Sequence, residues 1–162
     1  EIYQCDWSSD VCSSDLVSTR FTYDIFQGAK DLLHQLTQFG FRLHLWTARD
    51  EHSARHILQY HGIESLFNTL SFSNIESAKS LAANLQFDWQ TPAGTMMLMI
   101  GDSSTDMLAA KNIKAIAAGA LWDSAIKKAP LVASGADLLF NDLSEFENWI
   151  TAKAKAICTE AL

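Results

Sequence analysis

An α/β fold, a parallel sheet with helices on both faces, is predicted for this sequence by three observations. From Gly28 onward, segments with helical periodicity alternate with short segments of strand character, the pattern of a sheet wound with crossover helices. No Pro- or Ser-rich linker, repeat or low-complexity tract interrupts them, so the alternation reads as one domain or part of one. The 162 residues are 48% hydrophobic and 19% charged, which supplies a core and excludes disorder and collagen.

The first sixteen residues stand outside that pattern. EIYQCDWSSDVCSSDL has neither a period of 2 nor one of 3.6, and it lacks the charged and apolar regions of a secretory signal. Residues 6–16 resemble one translated frame of a sequencing-library adapter. The expectation is a non-native segment over residues 1–16, with natural sequence from about Val17; a genuine Ser-rich leader is the alternative. Leaving these residues out reduces the net charge of −7 to −3 and leaves Cys158 as the sole cysteine. A lone cysteine forms no intramolecular disulfide and fits a cytoplasmic protein. The longest apolar run, Met96 to Ile100, falls far short of the roughly 20 residues of a membrane helix. No basic cluster offers a nucleic-acid backbone a footing. Neither a membrane nor a nucleic acid is expected as partner, which leaves room for a small or metal-bridged anion.

The elements follow in order. Ala29, Leu32, Leu33, Leu36 and Phe39 predict a helix over Gly28 to Phe39, stopped by Gly40. Phe41, Leu43 and Leu45 alternate with Arg42, His44 and Trp46, giving a strand that ends at Thr47 ahead of a helix over about Glu51 to Tyr60. The unit recurs as a short apolar stretch at Leu70 to Phe72, a helix over Ser77 to Leu85, a buried strand Met96 to Ile100 and a helix over Thr105 to Lys111. A strand at Ala115 to Ala118, a short helix near Ser124 to Ala129, a strand at Leu138 to Phe140 and a terminal helix over Ser144 to Ile157 complete it. Phe146, Trp149 and Ile150 of the last helix are assigned to the core.

Parallel sheets bind ligands at the carboxyl ends of their strands, so polar residues directly after a strand are the candidates for chemistry. Gly101-Asp102-Ser103-Ser104-Thr105-Asp106 follows an unbroken apolar strand and carries two carboxylates four residues apart. Both are in reach of one divalent cation, and Mg2+ takes one or two carboxylates together with waters and a phosphate oxygen. Ser103 and Asp106 also have the spacing of a helix capping box, which accounts for Asp106 but not for Asp102. Thr47-Ala48-Arg49-Asp50 offers a hydroxyl and backbone amides to a phosphate, or else Thr47 caps the next helix with Asp50 completing the box. Lys79 either neutralises a phosphoryl group or lies on a solvated helix face. The five histidines show no metal-binding spacing.

Taken together, Thr47 after a strand, Lys79 thirty-two positions on, and Gly101-Asp102-x-x-x-Asp106 after a buried strand resemble motifs two, three and four of the haloacid dehalogenase superfamily, in order. The nearest likeness is to its phosphoglycolate-phosphatase-like members, over about Phe26 to Phe140. The resemblance implies a Rossmann-like core and phosphomonoester hydrolysis through an aspartyl-phosphate. By the same resemblance Thr47, Ala48 and Lys79 bind the phosphoryl group, Thr47 and Lys79 act in catalysis, Asp102 and Asp106 hold Mg2+, and the substrate is a small phosphorylated metabolite. Ser80 follows Lys79 where relatives commonly carry Pro. Motif one, a DxD whose first Asp is the nucleophile, has no counterpart, since no two aspartates of this chain lie two residues apart. The expectation is a catalytic core over 17–162 that lacks its first central strand and is itself inactive. A non-catalytic α/β module that binds phosphate or metal is the rival reading.

Overall fold

The computed structural model describes residues 24–72 and 95–160. They belong to two compact units, Glu1–Asn74 and Ile75–Leu162. Both are α/β, with parallel strands joined through helices.

In the first unit, helix α1 (Ala29–Gln38) buries Leu32 and Leu36, one turn apart on the face that periodicity had marked. Gly40, at φ 82°, closes it: the Gly40 N–H donates to Thr37 O and the Phe41 N–H to Leu36 O, each at 3.0 Å. Strand β1 (His44–Thr47) leads into helix α2 (Glu51–Tyr60), a 3-10 turn (Glu64–Leu66) and strand β2 (Thr69–Phe72). β1 and β2 pair in parallel from His44 opposite Thr69 to Thr47 opposite Phe72. Arg55 joins three of these elements: it pairs with Glu51 at 2.8 Å and with Glu64, and its guanidinium lies 5.3 Å from the centre of the Phe72 ring.

The second unit holds β3 (Leu98–Gly101), α3 (Ser104–Asn112), β4 (Ile116–Ala120), α4 (Lys128–Ala133), β5 (Leu138–Phe140) and α5 (Leu143–Glu160). The sheet runs β3-β4-β5, all parallel, with Gly101 opposite Gly119. Its central strand is built of small residues. Ala117, Ala118, Gly119 and Ala120 are buried, and Met107 from α3 and Leu131 from α4 fill the space they leave. A Cβ on Gly119 would lie 2.7 Å from Leu139 Cδ2, so any larger residue there would push that side chain aside. Phe146, Ile150 and Ala154 of α5 are buried at four-residue spacing, and Phe140 of β5 meets Phe146 and Trp149 with ring centres 5.3 and 5.6 Å apart. The assignment of this helix to the core therefore holds.

Two expectations change. The strand expected at Met96 to Ile100 starts at Leu98 and is half-buried rather than buried, because among the described residues β3 is an edge of its sheet. The short helix expected near Ser124 to Ala129 begins only at Lys128. The Asp123 carboxylate accepts the Ala125 N–H at 2.8 Å and its carbonyl accepts the Ile126 N–H at 3.0 Å, which fixes a turn where the helix was expected. Pro130, which donates no N–H, then stands in the first helical turn, where none is needed. The helix expected over Ser77 to Leu85 lies outside the described residues.

Helix α3 ends unusually. The Lys114 N–H donates to Lys111 O at 3.0 Å and the Ala115 N–H to Ala110 O at 2.8 Å, a closure that puts Lys114 at φ 58°. Glycine is the usual residue there, and a side chain in this left-handed region costs about 1–2 kcal/mol. No helix among the described residues is long and apolar enough to cross a membrane.

Candidate functional site

The turn after β3 carries the strongest candidate. Ser103 is the N-cap of α3, and the capping box anticipated with Asp106 is formed in both directions. It goes beyond a cap, however. Asp106 is 2% exposed, and one oxygen, Oδ2, accepts three hydrogen bonds: from the Ser103 hydroxyl at 2.7 Å, the Ser103 N–H at 3.1 Å and the Asp102 N–H at 3.2 Å. Donors converging on a carboxylate at a helix N-terminus fix its position and suit its charge. Thr105 Oγ1 lies 2.8 Å from Ser103 Oγ, whose own proton is directed to Asp106.

Gly101 makes this arrangement sterically possible. A Cβ built on it would stand 2.4 Å from both Cβ and Cγ of Asp106. The glycine that ends β3 is thus the space into which the Asp106 side chain folds. Asp102 gives its backbone N–H to the network, while the residue itself is exposed at the carboxyl end of the strand. A buried, anchored carboxylate and an exposed one therefore lie in a single turn. Their oxygens match what Mg2+ takes, one or two carboxylates with water and substrate oxygens completing the shell. Among the described residues no group of three or more His, Cys, Asp or Glu forms a metal cluster, so the fit is to a metal that shares its shell with water and substrate.

The turn after β1 is built differently. Thr47 is the last residue of β1, and its hydroxyl accepts the Arg49 N–H at 3.1 Å. It does not cap α2. Asp50 is the N-cap, taking the Ser53 N–H at 2.9 Å, so the alternative in which Thr47 caps and Asp50 completes the box is corrected. Burial works to raise the Asp50 pKa, but the hydrogen bonds from Ser53, with help from Arg49, outweigh it and hold the carboxyl below its usual value. Ala48 follows Thr47, exposed, at the carboxyl end of the strand. Lys79 lies outside the described residues. The two turns belong to different units, Thr47 and Ala48 to the first and Asp102 and Asp106 to the second.

The N-cap role of Asp50 was legible as a Ser/Thr/Asp/Asn choice immediately before the helix, a signal that the neighbouring Thr47 obscured.

A family model described as haloacid dehalogenase-like hydrolase matches residues 18–120, more than half of the chain. A phosphoglycolate phosphatase of Vibrio parahaemolyticus is 29% identical over 133 residues, covering 80% of this chain and 58% of that protein. Among solved structures, a predicted phosphatase from Clostridium acetobutylicum superposes with a TM-score of 0.64 at 21% identity, over 80% of this chain and 61% of that one. A haloacid dehalogenase-like family hydrolase from Streptococcus pneumoniae gives a TM-score of 0.62 at 21% identity, over 78% and 59%. These likenesses establish the fold. The chain spans about three-fifths of the length of the relatives it matches.

Proposed function

The chain belongs to the haloacid dehalogenase-like hydrolases, and from that premise we propose that it represents a cytoplasmic, Mg2+-dependent phosphatase acting on a small phosphorylated metabolite. The observation that carries this reading is the turn after β3, where Gly101 and three donors hold Asp106 against the strand end beside the exposed Asp102. In this reading Asp102 and Asp106 hold Mg2+, which when bound neutralises phosphate charge. Thr47 and the backbone amide of Ala48 bind phosphoryl oxygens, and the Lys79 ammonium offsets the charge of the transferring group.

Hydrolysis through an aspartyl-phosphate needs a nucleophilic carboxylate, and no two aspartates of this chain stand two residues apart. The proposal therefore places the nucleophile in coding sequence upstream of Val17, with residues 1–16 non-native. The 162-residue chain is expected to bind Mg2+ without turning over substrate. Phosphoglycolate is the first metabolite to assay, because the Vibrio relatives are phosphoglycolate phosphatases. The missing aspartate pair favours one rival for the chain as it stands, a non-catalytic module that binds phosphate or metal.

Calorimetric titration of the chain with Mg2+, and of its Asp102→Asn variant, separates these from a purely structural turn. Saturable binding that the variant loses supports the site. Equal heats for both chains would take Asp102 out of any metal site. Metal-dependent hydrolysis of phosphoglycolate once the upstream sequence is restored decides between phosphatase and module.

A further inference from the structure

A second candidate site lies at the other end of the same three strands. A shallow, open groove of about 450 Å³ lies at the amino ends of β3, β4 and β5, with Met96, Ile116, Leu138 and Trp149 among the apolar residues that line it and Lys114 and Lys153 among the polar ones. That volume falls within the range of small-ligand sites, which are typically apolar with a few polar groups fixing orientation. Asp102 and Asp106 follow the opposite, carboxyl end of β3, four strand residues away, or roughly 13 Å at the usual rise.

The charges around this groove do not balance. Asp137 also lines it, but its carboxylate is spent, paired with Lys111 at 2.5 Å and accepting the Ala117 N–H at 2.8 Å. Lys114 makes no ion pair among the described residues, and the Lys153 ammonium lies 5.9 Å from the centre of the Trp149 ring. Among the described residues that line it, two lysines thus stand beside an apolar lining with no carboxylate but Asp137. One of the two is held at a cost, since Lys114 occupies the left-handed position where glycine would be unstrained. A strained residue whose side chain lines a groove is a recognised mark of use.

We infer that this groove binds a small organic anion with an apolar body, its carboxylate or phosphate taken by Lys114 and Lys153 and its body lying on Ile116, Leu138 and Trp149. The site is independent of the phosphatase reading, because it shares no residue with the turns after β1 and β3. An aromatic body suits the exposed Met96 and the Trp149 ring.

The test uses the 162-residue chain and benzoate as probe, followed by the amide resonances of Ala115 to Ala117 and the indole N–H of Trp149. Benzyl alcohol, which has the body without the charge, and inorganic phosphate, which has the charge without the body, are the controls. Benzoate should shift these resonances saturably and bind at least ten-fold more tightly than either control. Lys114→Gly should weaken benzoate about ten-fold while raising the thermal midpoint by about 2–4 °C, since it removes a cation and relieves the backbone. Lys153→Met should weaken it to a similar degree. Equal binding of benzyl alcohol, undiminished binding by both variants, or shifts confined to Asp102 and Ser103 would each overturn the inference. The titration is run without metal, so its failure leaves the Mg2+ site after β3 untouched.

Discussion

Two strands of this protein, β1 and β3, end in the same way on paper, with a polar turn rich in hydroxyls and aspartates that opens a helix, yet the turns divide the work differently. After β1, one aspartate, Asp50, caps the helix with a bond from Ser53, while Thr47 closes a small turn of its own onto Arg49. After β3, the cap residue Ser103 and the acid Asp106 are joined to a third group, the Asp102 backbone, and a glycine clears the room they need. The lesson is that capping alone does not require a buried carboxylate. Asp50 caps half-exposed, whereas Asp106 is 2% exposed with three donors on one oxygen. Rigid placement of an acid beside an exposed partner is what a metal ligand requires and a cap does not.

The comparison breaks most visibly at Gly101. Gly101→Ala drives a methyl group to within 2.4 Å of the Asp106 side chain, and the overlap should cost about 2–3 kcal/mol in denaturant unfolding. Unchanged stability would mean that Asp106 is free to move aside. The next effect is at Asp106 itself. Asp106→Asn leaves three donors around an amide that accepts less strongly, and a loss of about 2 kcal/mol is expected. The same change at Asp50 should cost less than about 0.5 kcal/mol, because asparagine caps a helix as well as aspartate does. Equal losses at the two positions would erase the distinction drawn between the turns.

A third carboxylate calibrates the other two. The Lys111 ammonium, and after it the Ala117 N–H, hold the Asp137 carboxyl below its usual value. A folded-state pKa below the unfolded one contributes stability that is present above the unfolded value, about 3.9, and is lost as the pH falls through the folded value. Asp137→Asn should therefore be about 1 kcal/mol less stable than the parent at pH 7, the exposure of the pair keeping the effect small. The gap should narrow below about pH 4 and close at lower pH. A gap constant down to pH 2 would assign the effect to packing.

Much of this was legible in the chain because local rules decided it. α2 runs from Glu51 to Tyr60, the range expected for it, and the capping box at Ser103 and Asp106 followed from their three-residue separation. The turn at Asp123 was hidden because Ser124 to Ala129 has helical character, and only the side-chain bond to Ala125 shows that the chain bends first. The half-burial of β3 was hidden for another reason: apolar composition marks a strand's preference, and its place at the edge of the sheet among the described residues is set by which strands pair with it. The space under Gly101 was equally beyond reach, since a glycine after a strand reads as a turn residue until the side chain that folds into its place is seen.

The central claim is that Asp102 and Asp106 are metal ligands of a phosphatase, and the most direct test is to express the chain with the upstream segment proposed to carry the nucleophile and measure phosphate release from phosphoglycolate with and without Mg2+, beside Asp102→Asn. The account predicts hydrolysis that depends on Mg2+ and falls by at least a hundred-fold in the variant. Full turnover in Asp102→Asn, or an intact gene whose product neither binds Mg2+ nor releases phosphate, would contradict it.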